Sequence, residues 1–208
     1  MARVIGVDFD NTLVSYDELV YETALERGLI DRSVEKDKKS VRDSIRQIAD
    51  RDGEVEWQRL QALVYGPAMA RARPVDGALD VLAEMHRVGV PVFVVSHKTE
   101  YANYDRTRTS LRGAALDWMT RQGFFDPERL GLDRSSVYFE DTRQLKIDRI
   151  RRLGCTHFID DLEEVFLEES FPPDVERILF TTTAPDPPHG GMTVLGSWEA
   201  IGARLLGS

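Results

Sequence analysis

Asp8 and Asp10 stand two residues apart in the run Asp8-Phe9-Asp10-Asn11-Thr12, where the first strongly apolar segment of the chain ends. Carboxylates so placed can attack an electrophile, carry protons or hold a hard cation. Asp and Asn also make turns and helix caps with their short side chains, and acidic motifs this short arise by chance. Three further segments shift the balance. A second apolar run ends in Ser96-His97-Lys98, a hydroxyl followed by donors; Lys146 falls in the first turn of a helix; and another apolar run ends in Asp160-Asp161.

The elements that must bring these groups together are legible in outline. Arg3 to Asp8, rich in Val and Ile, reads as a strand buried on both faces. Pro91 to Val95, Val137 to Phe139, Thr156 to Ile159 and Arg177 to Phe180 repeat the pattern, with helical periodicity between them. Strands alternating with helices predict an α/β chain, a Rossmann-like doubly wound parallel sheet of about five strands. In such sheets the ligand crevice lies outside the carboxyl ends of the strands, which is where the four segments end.

Helix ends are also marked. Asp76 is the expected cap of a helix over Ala78 to Val88 that Gly89 stops, and Thr142 that of a helix over Leu145 to Leu153 that Gly154 stops. Ser197 starts a last helix through Leu205. Between Val14 and Pro74 only helical segments occur, around Asp17 to Arg27, Val41 to Ala49 and Val55 to Tyr65. The charged stretch Asp31 to Arg42 reads as a solvated linker or helix surface, and Pro185, Pro187 and Pro188 with Gly190 and Gly191 as a loop.

The motif order resembles the haloacid dehalogenase superfamily, whose members carry an Asp-x-Asp-x-Thr first motif, a Ser or Thr second motif, a Lys third motif and an acidic fourth motif. The resemblance runs from Val4 to about Leu162. It implies a catalytic core of residues 1–14 and 75–208 and a helical cap inserted at 15–74. It implies Asp8 as nucleophile, Asp10 as general acid/base and Lys146 as the lysine that neutralises phosphate charge, with Lys98 as the rival for that role. Thr12, Ser96, His97, Lys98 and Arg106 are the implied substrate-binding residues. Asp8, Asp10, Asp160 and Asp161 are the implied Mg2+ site. Asn11 departs from the family's usual glycine, and His97 from its frequent Asn; Asn tolerates left-handed backbone better than most residues.

The implied activity is a magnesium-dependent phosphomonoester hydrolase forming an aspartyl-phosphate, acting on a small metabolite such as a sugar phosphate or nucleotide. A phosphotransferase or phosphomutase of the same superfamily, or an idle binding domain, are the alternatives. A phosphate dianion about 4 Å from an ionised carboxylate meets roughly 8 kcal/mol of repulsion at an effective dielectric of about 20, so a cation is needed. An alkyl halide leaves as an anion and needs no proton, so Asp10 speaks for phosphatase over dehalogenase chemistry.

After the second motif, Tyr101, Tyr104, Arg106 and Arg108 form a polar stretch that reads either as a solvated loop or as a grip on a second anionic or aromatic group of the substrate. His97 is more site-like than His86, His157 and His189. Cys155, the single cysteine, cannot form an intrachain disulfide and reads as a small core residue. A net charge of −9 disfavours nucleic-acid partners. No apolar run of about 18 residues points to a membrane, and the expected compartment is the cytoplasm.

Overall fold

The computed structural model describes residues 2–48, 52–105, 107–181 and 191–207. The Pro185 to Gly190 part of the expected loop, His189, Ala49 and Arg106 lie outside them.

In chain order the strands are β1 (Ile5–Val7), β2 (Val14–Ser15), β3 (Arg73–Pro74), β4 (Val92–His97), β5 (Val137–Glu140), β6 (His157–Asp160), β7 (Glu176–Phe180) and β8 (Met192–Leu195). The helices are α1 (Asp17–Glu26), α2 (Lys38–Arg46), α3 (Gly53–Tyr65), α4 (Ala78–Arg87), α5 (Leu111–Arg121), α6 (Arg143–Arg152), α7 (Glu163–Phe166) and α8 (Trp198–Leu206). Six strands form one parallel sheet in the order β5-β4-β1-β6-β7-β8, while β2 and β3 form a two-stranded sheet of their own. The expected Rossmann-like α/β fold is therefore present, with six strands where about five were expected. The addition is β8, a half-buried edge strand of four residues that pairs with β7.

Strand order reverses beside β1. The chain moves outward from β1 through β4 to β5, then returns to β1's other side at β6. Val7 lies opposite Ile159, so Asp8 and Asp160, one residue further along, emerge side by side at the carboxyl ends of the two strands. That gap is the topological switch point, where open α/β sheets bind their ligands.

Two compact units divide the chain: Met1–Val14, Pro74–Lys98 and Gln122–Ser208 make one, Ser15–Arg73 and Thr99–Arg121 the other. The first carries the six-stranded sheet. Ile5 and Val7 are fully buried, as a strand covered on both faces requires. Val95, Ile147, Ile150, Phe158, Phe166 and Leu179 join in one apolar cluster, and Phe166 packs edge-on against Phe158 and Phe171. Burying each such side chain stabilises by about 1.5–3 kcal/mol. Gly6 is required by this packing, because a Cβ there would stand 2.5 Å from the Phe158 ring. Cys155 sits in the same cluster, 5% exposed, as a core residue; burial pushes its thiol up to about 12.

Helix ends in this unit mostly follow the sequence signals. Thr142 accepts from the Leu145 amide and Ser197 from the Ala200 amide. Asp76 is not the cap of α4: Gly77, at φ 77°, takes that position, with no side-chain hydrogen bond. A left-handed residue turns the chain into the helix there, a conformation that glycine adopts without steric cost.

The second unit is helical. Asp37 and Asp52 cap α2 and α3 by accepting from the Ser40 and Val55 amides. Tyr16 packs edge-on against Tyr65 at 4.5 Å between centroids. Helix α5 belongs to this unit, although it falls within the 75–208 stretch expected of the core: its Trp118 indole donates to the Ala72 carbonyl at 2.9 Å, with Leu111, Ala115 and Met119 also buried.

Candidate active site

Asp8, Asp10, Lys98, Lys146, Asp160 and Asp161 all belong to the first unit and lie at strand ends or in the first turns after them. Asp8 follows β1, and its amide donates to the Ile159 carbonyl at 2.8 Å, so the nucleophile candidate is anchored by the sheet ladder itself. Asp160 ends β6 and is fully buried. Its Oδ1 accepts from the Leu162 amide at 3.0 Å. Lys146, in α6, reaches between the two strands: Nζ stands 2.5 Å from Asp8 Oδ1 and 2.7 Å from Asp160 Oδ2. The Thr142 cap starts α6 at the carboxyl end of β5, which puts this lysine over the switch point.

Asp161 completes the group. Oxygens of Asp8, Asp160 and Asp161 lie within 4.8 Å of one another, a spacing and an all-oxygen donor set that suit a hard divalent cation. The Asp10 carboxylate stands elsewhere: Lys98 Nζ is 3.0 Å from its Oδ1 and 2.9 Å from its Oδ2.

Electrostatics follow from burial. Burial pushes the Asp8 carboxyl well above the ordinary range; Lys146 opposes this, while Asp160, Asp161 and Asp10 add to it. Burial alone would lower the Lys146 ammonium, but attraction to Asp160 and then Asp8, with their hydrogen bonds, raises it overall. Lys146 is thus a buried positive charge between two buried carboxylates.

The other expected residues fall as follows. Ser96 is buried at the carboxyl end of β4, beside β1. Thr12 is buried too; its carbonyl accepts from the Trp198 indole at 2.8 Å, and its hydroxyl has no hydrogen-bond partner among the described residues. His97 is exposed, with Nε2 3.0 Å from the Asp141 carbonyl, so that nitrogen carries the hydrogen. Tyr101 and Tyr104 are exposed in the second unit, where the Arg108 guanidinium lies 4.9 Å from the Tyr101 ring centroid.

Two sets of contacts were not legible from sequence. Glu140, ending β5, accepts the Lys98 amide on its carbonyl at 3.0 Å and Arg149 on its carboxylate at 2.7 Å. Glu140-Asp141 ends a strand just as Asp160-Asp161 does, and that parallel was the available signal. The other is that of the Asn11 amide, whose Nδ2 donates to Asp161 Oδ2 at 3.3 Å. No local pattern announces a contact across 150 residues.

No protein-family model and no curated protein sequence matches the chain. Solved structures match over nearly its whole length. A dehalogenase aligns at a TM-score of 0.61 and 12% identity, over 100% of this chain and 98% of its own. A HAD-superfamily hydrolase of subfamily IA from Geobacter sulfurreducens aligns at 0.59 and 13%, over 99% and 97%. A HAD family hydrolase from Deinococcus radiodurans, solved with bound phosphate and sodium, aligns at 0.57 and 17%, over 98% and 95%. The chain has the fold of the HAD-superfamily hydrolases.

Proposed function

We propose that this protein is a magnesium-dependent phosphomonoesterase that forms an aspartyl-phosphate on Asp8 and acts on a small phosphorylated metabolite, such as a sugar phosphate or a nucleotide. One observation carries the reading: at the switch point a buried ammonium, Lys146, joins Asp8 to Asp160, with Asp161 completing a three-carboxylate group. The phosphate bound to the Deinococcus radiodurans hydrolase of the same fold is consistent with a phosphorylated substrate.

Asp8, Asp160 and Asp161 are the residues that would hold Mg2+. When bound, the cation offsets the carboxylate charge and draws electron density from the phosphoryl oxygens. Lys146 contributes a second positive charge that needs no binding equilibrium. Ser96, buried beside β1, donates to a phosphoryl oxygen.

The chemistry then runs in two halves on this chain's own residues. An Asp8 carboxylate oxygen attacks phosphorus, the bond from phosphorus to the ester oxygen breaks, and Asp10 gives its proton to the departing alkoxide. Asp10, now a carboxylate, takes a proton from water as that water attacks the acyl phosphate, which releases inorganic phosphate and restores Asp8. Asp10 is suited to this traffic: its side chain is 24% exposed, against 6% for Asp8 and 0% for Asp160. Of the two rival lysines, Lys146 is the one that faces the nucleophile, and Lys98 faces the acid/base.

The test is phosphate release from p-nitrophenyl phosphate and from a panel of sugar phosphates and nucleotides, in Mg2+ and after chelation by EDTA. Release that needs Mg2+ is the expected result. No release from any substrate in Mg2+ would sink the reading, and release insensitive to EDTA would sink its cation half.

A further inference from the structure

Asn11 has a left-handed backbone, at φ 56°, in the tight turn that follows β1. The turn is closed by its own main chain: the Asn11 amide donates to the Val14 carbonyl at 2.9 Å, and the Leu13 and Val14 amides to the Phe9 carbonyl at 3.0 and 3.2 Å. Glycine meets such a backbone at no steric cost, whereas residues with a Cβ are generally strained there, Asn less than most. The turn alone therefore gives no reason for a side chain at this position.

The side chain has a partner. Asn11 Nδ2 is 3.3 Å from Asp161 Oδ2. An ionised carboxylate only accepts hydrogen bonds, so the amide nitrogen must be the atom that faces it. The three clustered carboxylates differ in how they are held. Asp8 and Asp160 are buried and both fixed by Lys146, while Asp161 is only half-buried and lies one residue past the end of β6. The Asn11 amide donates to the Asp161 carboxylate from the turn after β1.

We propose that Asn11 is a positioning residue for the divalent cation, orienting the Asp161 carboxylate from a turn whose backbone would equally accept glycine. This rests on the cation reading of the proposed function. Partners that orient a metal ligand in this way typically change metal affinity by about 10–100-fold when removed.

The test is calorimetric titration of the protein with Mg2+ alone, together with the thermal midpoint of each metal-free variant. Asn11→Gly keeps the turn and removes only the amide, so its metal-free midpoint should match or exceed that of the wild type while Mg2+ binds about tenfold more weakly or worse. On an Asp161→Ala background, Asn11→Gly should weaken binding no further, because the group it acts through is gone. Equal Mg2+ affinity in Asn11→Gly and wild type overturns the inference, as does the same loss on the Asp161→Ala background. If the wild type itself takes up no Mg2+, the cation reading falls and the inference with it, an outcome distinct from the other two.

Discussion

Two buried lysines pair with three aspartates near the strand ends, in different surroundings. Lys146 is 2% exposed and touches Asp8 and Asp160, whose side chains are 6% and 0% exposed. Lys98 is 3% exposed and grips both oxygens of Asp10, a side chain that keeps 24% of its surface open. A charge pair sealed from water is strongly held and difficult to rearrange, while one whose carboxylate still touches solvent can be remade at modest cost. In the proposed mechanism the sealed pair holds the nucleophile and the open pair the group that gains and loses a proton. Burial of the carboxylate, more than that of the lysine, is what distinguishes the two pairs.

The largest expected effect comes from exchanging the carboxylates themselves. Asp8→Asn should abolish phosphate release, because no acyl phosphate can form on an amide. Asp10→Asn should leave slow phosphorylation of Asp8 with turnover lowered by about 10²–10⁴, the usual contribution of a general acid/base. Rapid-quench measurement of covalently bound phosphate separates the two, and equal residual activity in both variants contradicts the division of roles.

Next in size is removal of each lysine. Lys146→Met leaves buried carboxylates without their ammonium, a change that typically costs about 3–5 kcal/mol. Lys98→Met leaves Asp10 able to draw on water and should cost about 1–2 kcal/mol. Urea unfolding in the absence of metal measures both, and a Lys98 variant as damaged as the Lys146 variant would break the contrast.

Much of this arrangement is legible in the sequence for a physical reason. Asp8, Ser96 and Asp160 sit at the ends of apolar runs, and in a parallel sheet strand ends converge. The caps at Thr142 and Ser197 are local, so their side chains announce them. What escaped depends on distance along the chain or on backbone geometry. The Asn11–Asp161 contact and the grouping of α5 with Ala72 join distant residues. Gly77 displaces Asp76 as the start of α4 through a positive φ that no side-chain pattern encodes. Strand β8 earns its place by pairing with β7, its own residues being only half-buried. Lys98 was visible as a rival to Lys146, but only coordinates separate a lysine that faces Asp8 from one that faces Asp10.

The smallest expected effect sharpens the contrast at its sealed end, through pH. Burial, with Asp160, Asp161 and Asp10 adding to it, raises the Asp8 carboxyl against the pull of Lys146, so the metal-free native state holds that proton more tightly than the unfolded chain does. Where the native state binds more protons, stability falls as pH rises. The loss should begin near the ordinary aspartate value of about 4 and continue upward toward the raised native value. Asp8→Asn removes this term. In EDTA the variant should therefore melt above the wild type at pH 7, by about 2–4 °C for each kcal/mol involved, with the gap closing near pH 4. Saturating Mg2+ should reverse the order at pH 7, because only the wild type offers the cation a carboxylate at this position. Coincident melting curves for the two proteins in EDTA across that range would mean that Lys146 alone compensates the buried charge, and the sealed pair would then be no more strained than the open one.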